Sequence, residues 1–234
     1  MIIQQPRVLV SEEQFAPGII KKLEKYARIC YKSEDKMADT DSPGFLKSII
    51  SRGHESIIEH EKVTTLFIVD RGVSHEIVRH RIAAYSQEST RYCNYSKDKF
   101  GNEITVIEPY FFIKRDRPYK YWEESCLKAE KNYMKMLENG CTPQEARSIL
   151  PNSLKTEIVV SYNLREWRHF FRLRCDLAAH PQMRQVAIPL LLFFNTKLPV
   201  LFDDIEYDRK FPEEHYARIV MTDNLFNPVE EEVL

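Results

Sequence analysis

The apolar positions of the chain recur with helical spacing in several stretches, and polar capping residues or glycines mark the ends of most of them. Ile19, Leu23 and Ala27 belong to one such pattern and predict a helix over 18–31. In the next stretch Ser42 is a candidate N-cap, Pro43 suits the first helical position and Gly53 marks the end. The same reasoning predicts helices over 72–84, 118–139, 143–151, 163–174 and 181–197, with a kink at Pro189.

Three stretches are instead rich in β-branched and aromatic residues, and they predict strands at 63–69, 104–112 and 156–162. Residues 86–99 are polar and aromatic without a clear period, so we expect a loop with some extended structure there. The segment after Pro199 is acidic and irregular. Because strands and helices are mixed without regular alternation, the pattern favours an α+β fold with a small antiparallel-rich sheet. No repeat or linker interrupts the chain, so we expect one domain over residues 1–234.

Composition narrows the function classes. The formal net charge is -1, which gives no general attraction to nucleic acid or to an anionic membrane. The longest apolar run, Val186 to Phe194, is far shorter than the roughly 20 residues of a membrane span. The first ten residues lack a signal-peptide pattern, and the five scattered cysteines suit a reducing cytoplasm. Neither a Rossmann nor a P-loop glycine motif is present.

The segment from Arg79 to Tyr92 concentrates candidate chemistry. Its guanidinium, amide and hydroxyl groups are those that bind a phosphate. The alternative is a solvated helix end, in which Arg79 pairs with Glu76 at helical spacing. His80 shares a predicted helical stripe with Val73 and Ile77, so we expect it to face the interior, where a histidine is usually a hydrogen-bonded core residue.

The predicted helix at 163–174 carries two distinct stripes. One contains Leu164, Trp167, Phe171 and Arg174; the other contains the polar residues Arg165, His169 and Arg172. The first stripe places a permanent cation near the core, so an anionic partner is expected. That partner is either a ligand or an ordinary salt-bridge residue such as Asp176 or Glu157.

Four ordered blocks of this sequence resemble the flavin-dependent thymidylate synthase (ThyX) family. The signature Arg79-His80-Arg81, seven residues, then Ser89 is complete and is followed by Arg91-Tyr92. The other blocks are His54-Glu55-Ser56 with Glu59-His60, Ala146-Arg147 with Leu150-Pro151, and Asn163-Leu164-Arg165-Glu166-Trp167 with Leu173-Arg174, Asp176 and His180.

The resemblance implies an enzyme that methylates dUMP to dTMP, with FAD as cofactor and with methylenetetrahydrofolate and NADPH as co-substrates. It implies a homotetramer with sites shared between subunits. Arg174 would stabilise negative charge at uracil N3, and His54 and Tyr92 would lie on the folate side, unless they only form loop hydrogen bonds. The implied dUMP contacts are Glu76, Arg79, Gln87, Glu88, Ser89, Thr90, Arg91, Arg147 and Arg174. The implied FAD contacts are Ser56, Arg79, His80, Arg81, Gln87, Asn163, Arg165, His169 and His180.

Two positions depart from the family pattern, because Glu76 replaces a Gln and His169 replaces an Asn of some members. His54-Glu55 begins like a zinc-protease motif, but Ile58 stands where the second histidine is required, so no metal site is predicted. Cys93 lacks the sequence context of a nucleophile. Two alternatives remain open: a nucleotide- or RNA-binding module that uses the arginine clusters, and a family member that retains FAD without turnover.

Overall fold

The computed structural model describes residues 1–37 and 43–224. Its strands are short except for two of nine residues each, and in chain order they are β1 Ile2–Gln4, β2 Arg7–Val10, β3 Lys62–Asp70, β4 Ala83–Gln87, β5 Thr105–Ile107, β6 Lys155–Asn163 and β7 Arg218–Met221. The α-helices are α1 Ile19–Tyr31, α2 Pro43–Ser51, α3 Arg71–Ile77, α4 Arg117–Glu138, α5 Pro143–Ala146, α6 Leu164–Arg174, α7 Pro181–Lys197 and α8 Pro199–Phe202.

The strands form two sheets. β1 and β5 pair in parallel, with Ile2 opposite Thr105 and Gln4 opposite Ile107. The other five strands form one sheet in the order β4-β6-β3-β2-β7. Helices and strands therefore do not alternate as in a doubly wound sheet, and the predicted α+β class is confirmed.

The chain divides into two compact units, each assembled from three separate stretches. The first unit contains Met1–Arg7, Phe67–Arg79 and Ser86–Val159. The second contains Val8–Leu66, His80–Tyr85 and Val160–Leu234, of which the structure describes all residues except 38–42 and 225–234. The chain passes from one unit to the other several times, so no single cut separates them. The expected single domain stays a prediction.

The first unit has a core between α4 and segments that precede and follow it in the chain. Tyr133, at the centre of this core, is fully buried, and its ring lies 5.8 Å from that of Tyr95. The apolar face of α4 packs in one cluster with Ile104, which precedes β5, and with Val106, which lies in β5. This core fixes the position of the α5 segment, since Ala146 is also part of it.

The second unit has an aromatic core built on α6 and α7. Trp167 is fully buried, with its ring centroid 5.0 Å from that of Phe194, and its indole N–H donates to the carbonyl of Val63 at 3.0 Å. Phe170 and Phe171 are buried on the same face of α6. Large aromatic side chains bury roughly 150–250 Å² each, so this cluster holds α6 firmly in place.

Most predicted elements agree with the structure to within a few residues. The strands at 63–69 and 156–162 correspond to β3 and β6, and the helices at 18–31, 118–139, 163–174 and 181–197 correspond to α1, α4, α6 and α7. The predicted capping box of Thr142 and Glu145 is present at the start of α5. Pro189 lies inside α7, although its kink stays a prediction. Ser42 and the tail from Glu230 lie outside the described residues.

The predicted helix over 72–84 is wrong in its second half. Asp70 caps α3 by accepting a hydrogen bond from Val73 N at 2.8 Å, but the helix ends at Ile77. Residues 83–87 instead form β4, whose side chains alternate between half-buried and exposed. Pairing of β4 beside β6 in the sheet overrides the local helical pattern. His80 is nevertheless buried, as expected, because of its partners on α6 and not because of a helical stripe.

Two other predictions are corrected. The strand expected over 104–112 is limited to β5, because Pro109 cannot donate to a ladder and a turn follows it. The expected irregular segment after Pro199 contains α8 and β7. The strands β1 and β2 near the amino terminus were not predicted. Among residues 1–37 and 43–224, every helix is too short or too polar to cross a bilayer.

Candidate functional site

In the first unit, Arg147 and Thr90 line a pocket of about 240 Å³, together with Arg71 and His75 of α3. Arg147 Nη1 lies 3.3 Å from Thr90 Oγ1, and this threonine is buried. Two guanidinium groups, an imidazole and a hydroxyl at one pocket are the donors expected around a phosphate. We name this feature the Arg147 pocket.

Local capping places Arg147 at the pocket. Glu145 accepts hydrogen bonds from both the backbone N and the hydroxyl of Thr142 at 2.7 Å, which closes the first turn of α5. Arg147 then begins a 3-10 turn over Arg147–Ile149 that follows directly. The side chain of Arg147 is therefore presented from a rigid corner, and it is exposed.

Two predicted dUMP contacts in the first unit are tied into the protein itself. Glu88 accepts from Tyr95 Oη at 2.8 Å and pairs with Lys155 Nζ at 3.1 Å. Gln87 donates to Ser74 Oγ at 2.9 Å and to Thr156 Oγ1 at 3.2 Å. Both side chains therefore brace β4 and the following loop, besides any role toward a ligand.

The remaining predicted dUMP contacts of the first unit are less constrained. Ser89 Oγ accepts from the backbone N of Arg91 at 3.3 Å, which shapes the turn after β4. Arg91 is exposed, with its guanidinium carbon 5.4 Å from the centre of the Tyr92 ring. Arg79 is also exposed and Glu76 is half-buried. Arg79 donates its backbone N–H to the Glu76 carbonyl at 3.2 Å, in the turn that ends α3.

In the second unit, His80 lies between two side chains of α6, the carboxylate of Glu166 and the guanidinium of Arg174. Its Nδ1 is 3.0 Å from Glu166 Oε1, and its Nε2 accepts from Arg174 Nε at 3.2 Å. Glu166 and His80 are buried, while Arg174 is half-buried at the end of α6. The cation expected near the core is thus Arg174, next to a histidine.

Aromatic side chains and charge together keep the His80 ring neutral. The rings of Phe170 and His169 lie 5.1 Å and 5.3 Å from it, and Tyr85 donates to the His80 carbonyl. Burial, then the charge of Arg174 and His169, lowers the pKa of His80 to about 4. Burial raises the pKa of the Glu166 carboxyl. Because both ring nitrogens of His80 are engaged, a ligand would meet only its ring edge or its backbone.

Several predicted flavin contacts of the second unit are exposed donors, namely Ser56, Arg81, Arg165 and His169. Arg165, His169 and Arg172 form the exposed stripe of α6 that the sequence predicted. Arg165 pairs with Glu59 at 2.5 Å.

Other predicted residues cap helices or lie in loops. Asn163 accepts from Glu166 N at 2.8 Å and caps α6, as predicted. His180 caps α7 through its Nδ1, 3.3 Å from Gln182 N. His54 is exposed, with its Nδ1 2.7 Å from Tyr31 Oη.

Among residues 1–37 and 43–224, His80, Glu166 and His169 are the three side chains whose ligand atoms lie close enough to hold a metal ion, within 4.8 Å of one another. The guanidinium of Arg174 already donates to His80 Nε2, and its positive charge opposes a cation there. We assign no metal to this group, and the expected absence of a metal site stays a prediction.

Arg168, the fully buried arginine of α6, was not predicted from the sequence. Its guanidinium donates to both carboxylate oxygens of Asp204 at 2.7 Å, to Glu55 Oε1 at 3.0 Å and to the carbonyl of Leu201. A signal was present, since Arg168 follows Leu164 by four residues on the apolar side of the helix. Glu55 joins the segment of His54 and Ser56 to α6 through this contact.

Known proteins with similar sequences identify the family. The sequence model of the family Thy1, described as "Thymidylate synthase complementing protein", matches residues 13–200, well over half of the chain. This chain belongs to the Thy1 family. The match covers every residue that the resemblance implicated, from His54 to His180, so the predicted family is confirmed.

Individual Thy1 relatives agree with the family match. A protein of Geobacter sulfurreducens named flavin-dependent thymidylate synthase is 34% identical over 189 residues, covering 76% of this chain and 78% of its own. The enzyme of the same name from Pyrococcus abyssi is 37% identical over 161 residues, covering 68% of this chain and 65% of its own. A crystal structure of a UMP/dUMP methylase, PolB from Streptomyces cacaoi, superposes with a TM-score of 0.69 at 20% identity, covering 87% of this chain and 96% of that one. This structural similarity shows that the two chains share a fold.

Proposed function

We propose that this protein is a flavin-dependent thymidylate synthase, which methylates dUMP at C5 to give dTMP. Methylenetetrahydrofolate would donate the carbon and NADPH the electrons, through bound FAD. The observation that carries the proposal is the Thy1 match over residues 13–200, together with relatives named for this activity. PolB, named as a UMP/dUMP methylase, has the same fold.

The donor set of the second unit fits a flavin dinucleotide. Arg81 and Arg165 are exposed cations suited to a diphosphate, and Ser56 and His169 add hydrogen-bonding groups. By the family resemblance, the further flavin contacts of this protein would be His80, Asn163, His180, Arg79 and Gln87. Bound FAD would supply the electrons that reduce the transferred carbon to a methyl group. The protein itself binds and orients.

For dUMP, we assign the phosphate to the Arg147 pocket, where Arg147 and Thr90 already lie within hydrogen-bond reach of each other. By resemblance, further contacts would come from Glu76, Arg79, Gln87, Glu88, Ser89 and Arg91. Because Glu76 has a carboxylate in place of an amide, it can accept but not donate when ionised. Its contact would therefore differ from that of a Gln at this position.

Arg174 would act on the uracil ring. Carbon–carbon bond formation at C5 is favoured when negative charge develops at N3 and O4, since that charge increases the nucleophilicity of C5. A half-buried guanidinium that is already oriented stabilises such charge with little reorganisation. His54 and Tyr92 would lie on the folate side, and the side chain of His54 is held by Tyr31.

We also propose that the protein is a homotetramer with sites shared between subunits, which rests on the family resemblance, and that it is cytoplasmic. All five cysteines, described as free thiols, suit a reducing compartment. We propose that the whole chain is a single functional domain.

An absorbance spectrum of the purified protein tests the function. We expect a yellow protein with an oxidised flavin spectrum that bleaches when NADPH is added without oxygen. A colourless protein that binds RNA with steep salt dependence would instead support the nucleic-acid-binding alternative. A yellow protein that forms no dTMP from dUMP and methylenetetrahydrofolate would support the inactive family member.

A further inference from the structure

The first turn of α6 departs from the pattern that its sequence predicts. In a capping box, the acidic residue at the third helical position bends back to the backbone N of the cap residue. Here Asn163 forms one of the two hydrogen bonds of a capping box, since its side chain accepts from Glu166 N at 2.8 Å. The Glu166 carboxylate instead reaches 86 residues back along the chain to His80 Nδ1, at 3.0 Å. A buried carboxylate directed at a buried imidazole requires an explanation beyond helix capping.

Only one tautomer of His80 satisfies both of its neighbours. Glu166 has an acceptor oxygen at Nδ1, so this nitrogen must carry the proton. Arg174 Nε is a donor at 3.2 Å from Nε2, so Nε2 must carry a lone pair. With the proton on Nε2 instead, two acceptors would meet at one side of the ring and two donors at the other.

The same contacts determine how Arg174 is held. Its Nε donates to His80 Nε2, which fixes the plane of the guanidinium. The His80 ring is itself held by the Phe170 ring at 5.1 Å and by its burial. A rigid chain of contacts therefore leads from Glu166 through His80 to Arg174.

We propose that Glu166 is a positioning residue, which fixes the Nδ1-protonated tautomer of His80 so that His80 Nε2 orients Arg174 toward the substrate. The part that concerns the substrate rests on the proposed function; the part that concerns the tautomer does not. Glu166 acts through His80 and need not touch dUMP or FAD.

Removing the Glu166 carboxylate leaves His80 without the acceptor that selects its tautomer. In Glu166→Ala, His80 can carry its proton on either nitrogen, and the Nε2-protonated form opposes Arg174. A misplacement of about 1 Å near a reacting centre costs on the order of 100-fold in rate, so we expect kcat to fall by about 10- to 100-fold. The KM for dUMP should change much less, because the phosphate contacts lie elsewhere in the chain. Glu166→Gln keeps an oxygen acceptor of the same reach, so it should retain the tautomer and most of the kcat.

Solid-state NMR of the holoenzyme, labelled with ¹⁵N-histidine, tests the tautomer directly. The His80 signals are assigned by their loss in His80→Asn. We expect a protonated Nδ1 and an unprotonated Nε2 in the wild type and in Glu166→Gln, and a mixture or the reverse in Glu166→Ala. A wild type with its proton on Nε2 overturns the proposal. This result does not depend on turnover, so a wild type that makes no dTMP refutes the function without deciding the tautomer.

Kinetics with a matched control separate positioning from stability. Glu24→Gln also removes a buried carboxylate of the second unit, one that pairs with Arg28 at 2.6 Å, but it leaves His80 untouched. We expect Glu24→Gln to lose stability while its folded fraction keeps the wild-type kcat. If Glu166→Ala lowers kcat no more than Glu24→Gln does, Glu166 is only structural and the proposal is wrong. Should Glu166→Ala be insoluble, Glu166→Met replaces it, since Met fills a similar volume without an acceptor.

Discussion

Replacement of Arg168 by methionine should destabilise the protein more than any similar change at the exposed arginines of α6. The Arg168 side chain is only 1% exposed, whereas that of Arg172, which bonds the same oxygen of Glu55, is 45% exposed. Methionine keeps the apolar stem of Arg168 and removes the charge and the donors. The comparison therefore sets a buried arginine against an exposed one that shares a carboxylate with it.

The contacts of Arg168 determine how much stability the substitution should cost. Breaking a buried ion pair by removing one partner costs about 3–5 kcal/mol, because the other charge remains buried. Here the partners are partly compensated, since Glu55 retains Arg172 at 2.9 Å and Asp204 is 47% exposed to water. We therefore expect Arg168→Met to cost about 3 kcal/mol, at the low end of that range. The exposed pair lost in Arg172→Met should cost about 0–1 kcal/mol.

Urea denaturation of the flavin-loaded protein, at one fixed protein concentration, measures both changes. About 3 kcal/mol corresponds to a fall in Tm of roughly 6–12 °C for a chain of this size. Equal losses for the two variants would refute the reasoning, because they would show that burial of Arg168 contributes nothing. A gain in stability for Arg168→Met would mean that the desolvation of this arginine outweighs its hydrogen bonds.

Four further outcomes are expected. Arg174→Ala should lower dTMP formation at least about 100-fold while flavin stays bound, which absorbance and product analysis measure together; near-normal turnover would refute its role. Arg147→Ala should raise the KM for dUMP by about 10- to 100-fold, the effect of one charge-assisted hydrogen bond, and an unchanged KM would exclude the Arg147 pocket. Cys93→Ala should keep its activity, since burial and then the charge of Glu88 raise the pKa of the thiol; an inactive variant with intact fold and flavin would contradict this. The unfolding free energy of the wild type should exceed that of Arg168→Met by its largest amount near pH 7, and this difference should shrink as the pH falls below about 4. A difference that does not change with pH would show that the ion pairs of Arg168 do not stabilise the fold.

The direction of that pH effect follows from two carboxyls. The hydrogen bond from Arg168 lowers the pKa of Asp204, although burial opposes it. For Glu55, burial favours the neutral acid, but the hydrogen bonds and charges of Arg172 and Arg168 together outweigh it and lower the pKa. A lowered pKa in the folded state stabilises above the unfolded pKa, and the stabilisation is lost as the pH falls through the folded value.

The parts of the fold with strong local signals were predictable from the sequence. α6 has a cap at Asn163 and ends near Arg174, as predicted, and the apolar residues of its predicted stripe, Trp167 among them, are buried. α4 begins near Pro118 and ends before Gly140, whose φ of 89° requires the left-handed region. In these segments propensity, capping and hydrophobic period all favour the same structure.

The parts that depend on distant partners were not predictable. Two distant contacts decide where α3 ends and β4 begins. β4 pairs with β6 in the sheet, and His80 contacts Glu166, which lies 86 residues later in the chain. The sequence around these residues contains neither partner, so the helix predicted over 72–84 is too long. The family resemblance named His80 and Arg174, but only the structure shows that they are hydrogen-bonded to each other.

A single-turnover experiment shows whether the flavin of this protein supplies the electrons that convert dUMP to dTMP. The flavin of the holoenzyme is reduced with NADPH under anaerobic conditions, and dUMP is then added with methylenetetrahydrofolate labelled at its methylene carbon. The account predicts that the flavin is reoxidised only when both substrates are present, and that one labelled dTMP forms for each flavin reoxidised. Reduced flavin that persists with both substrates, or dTMP formed without flavin reoxidation, would contradict it.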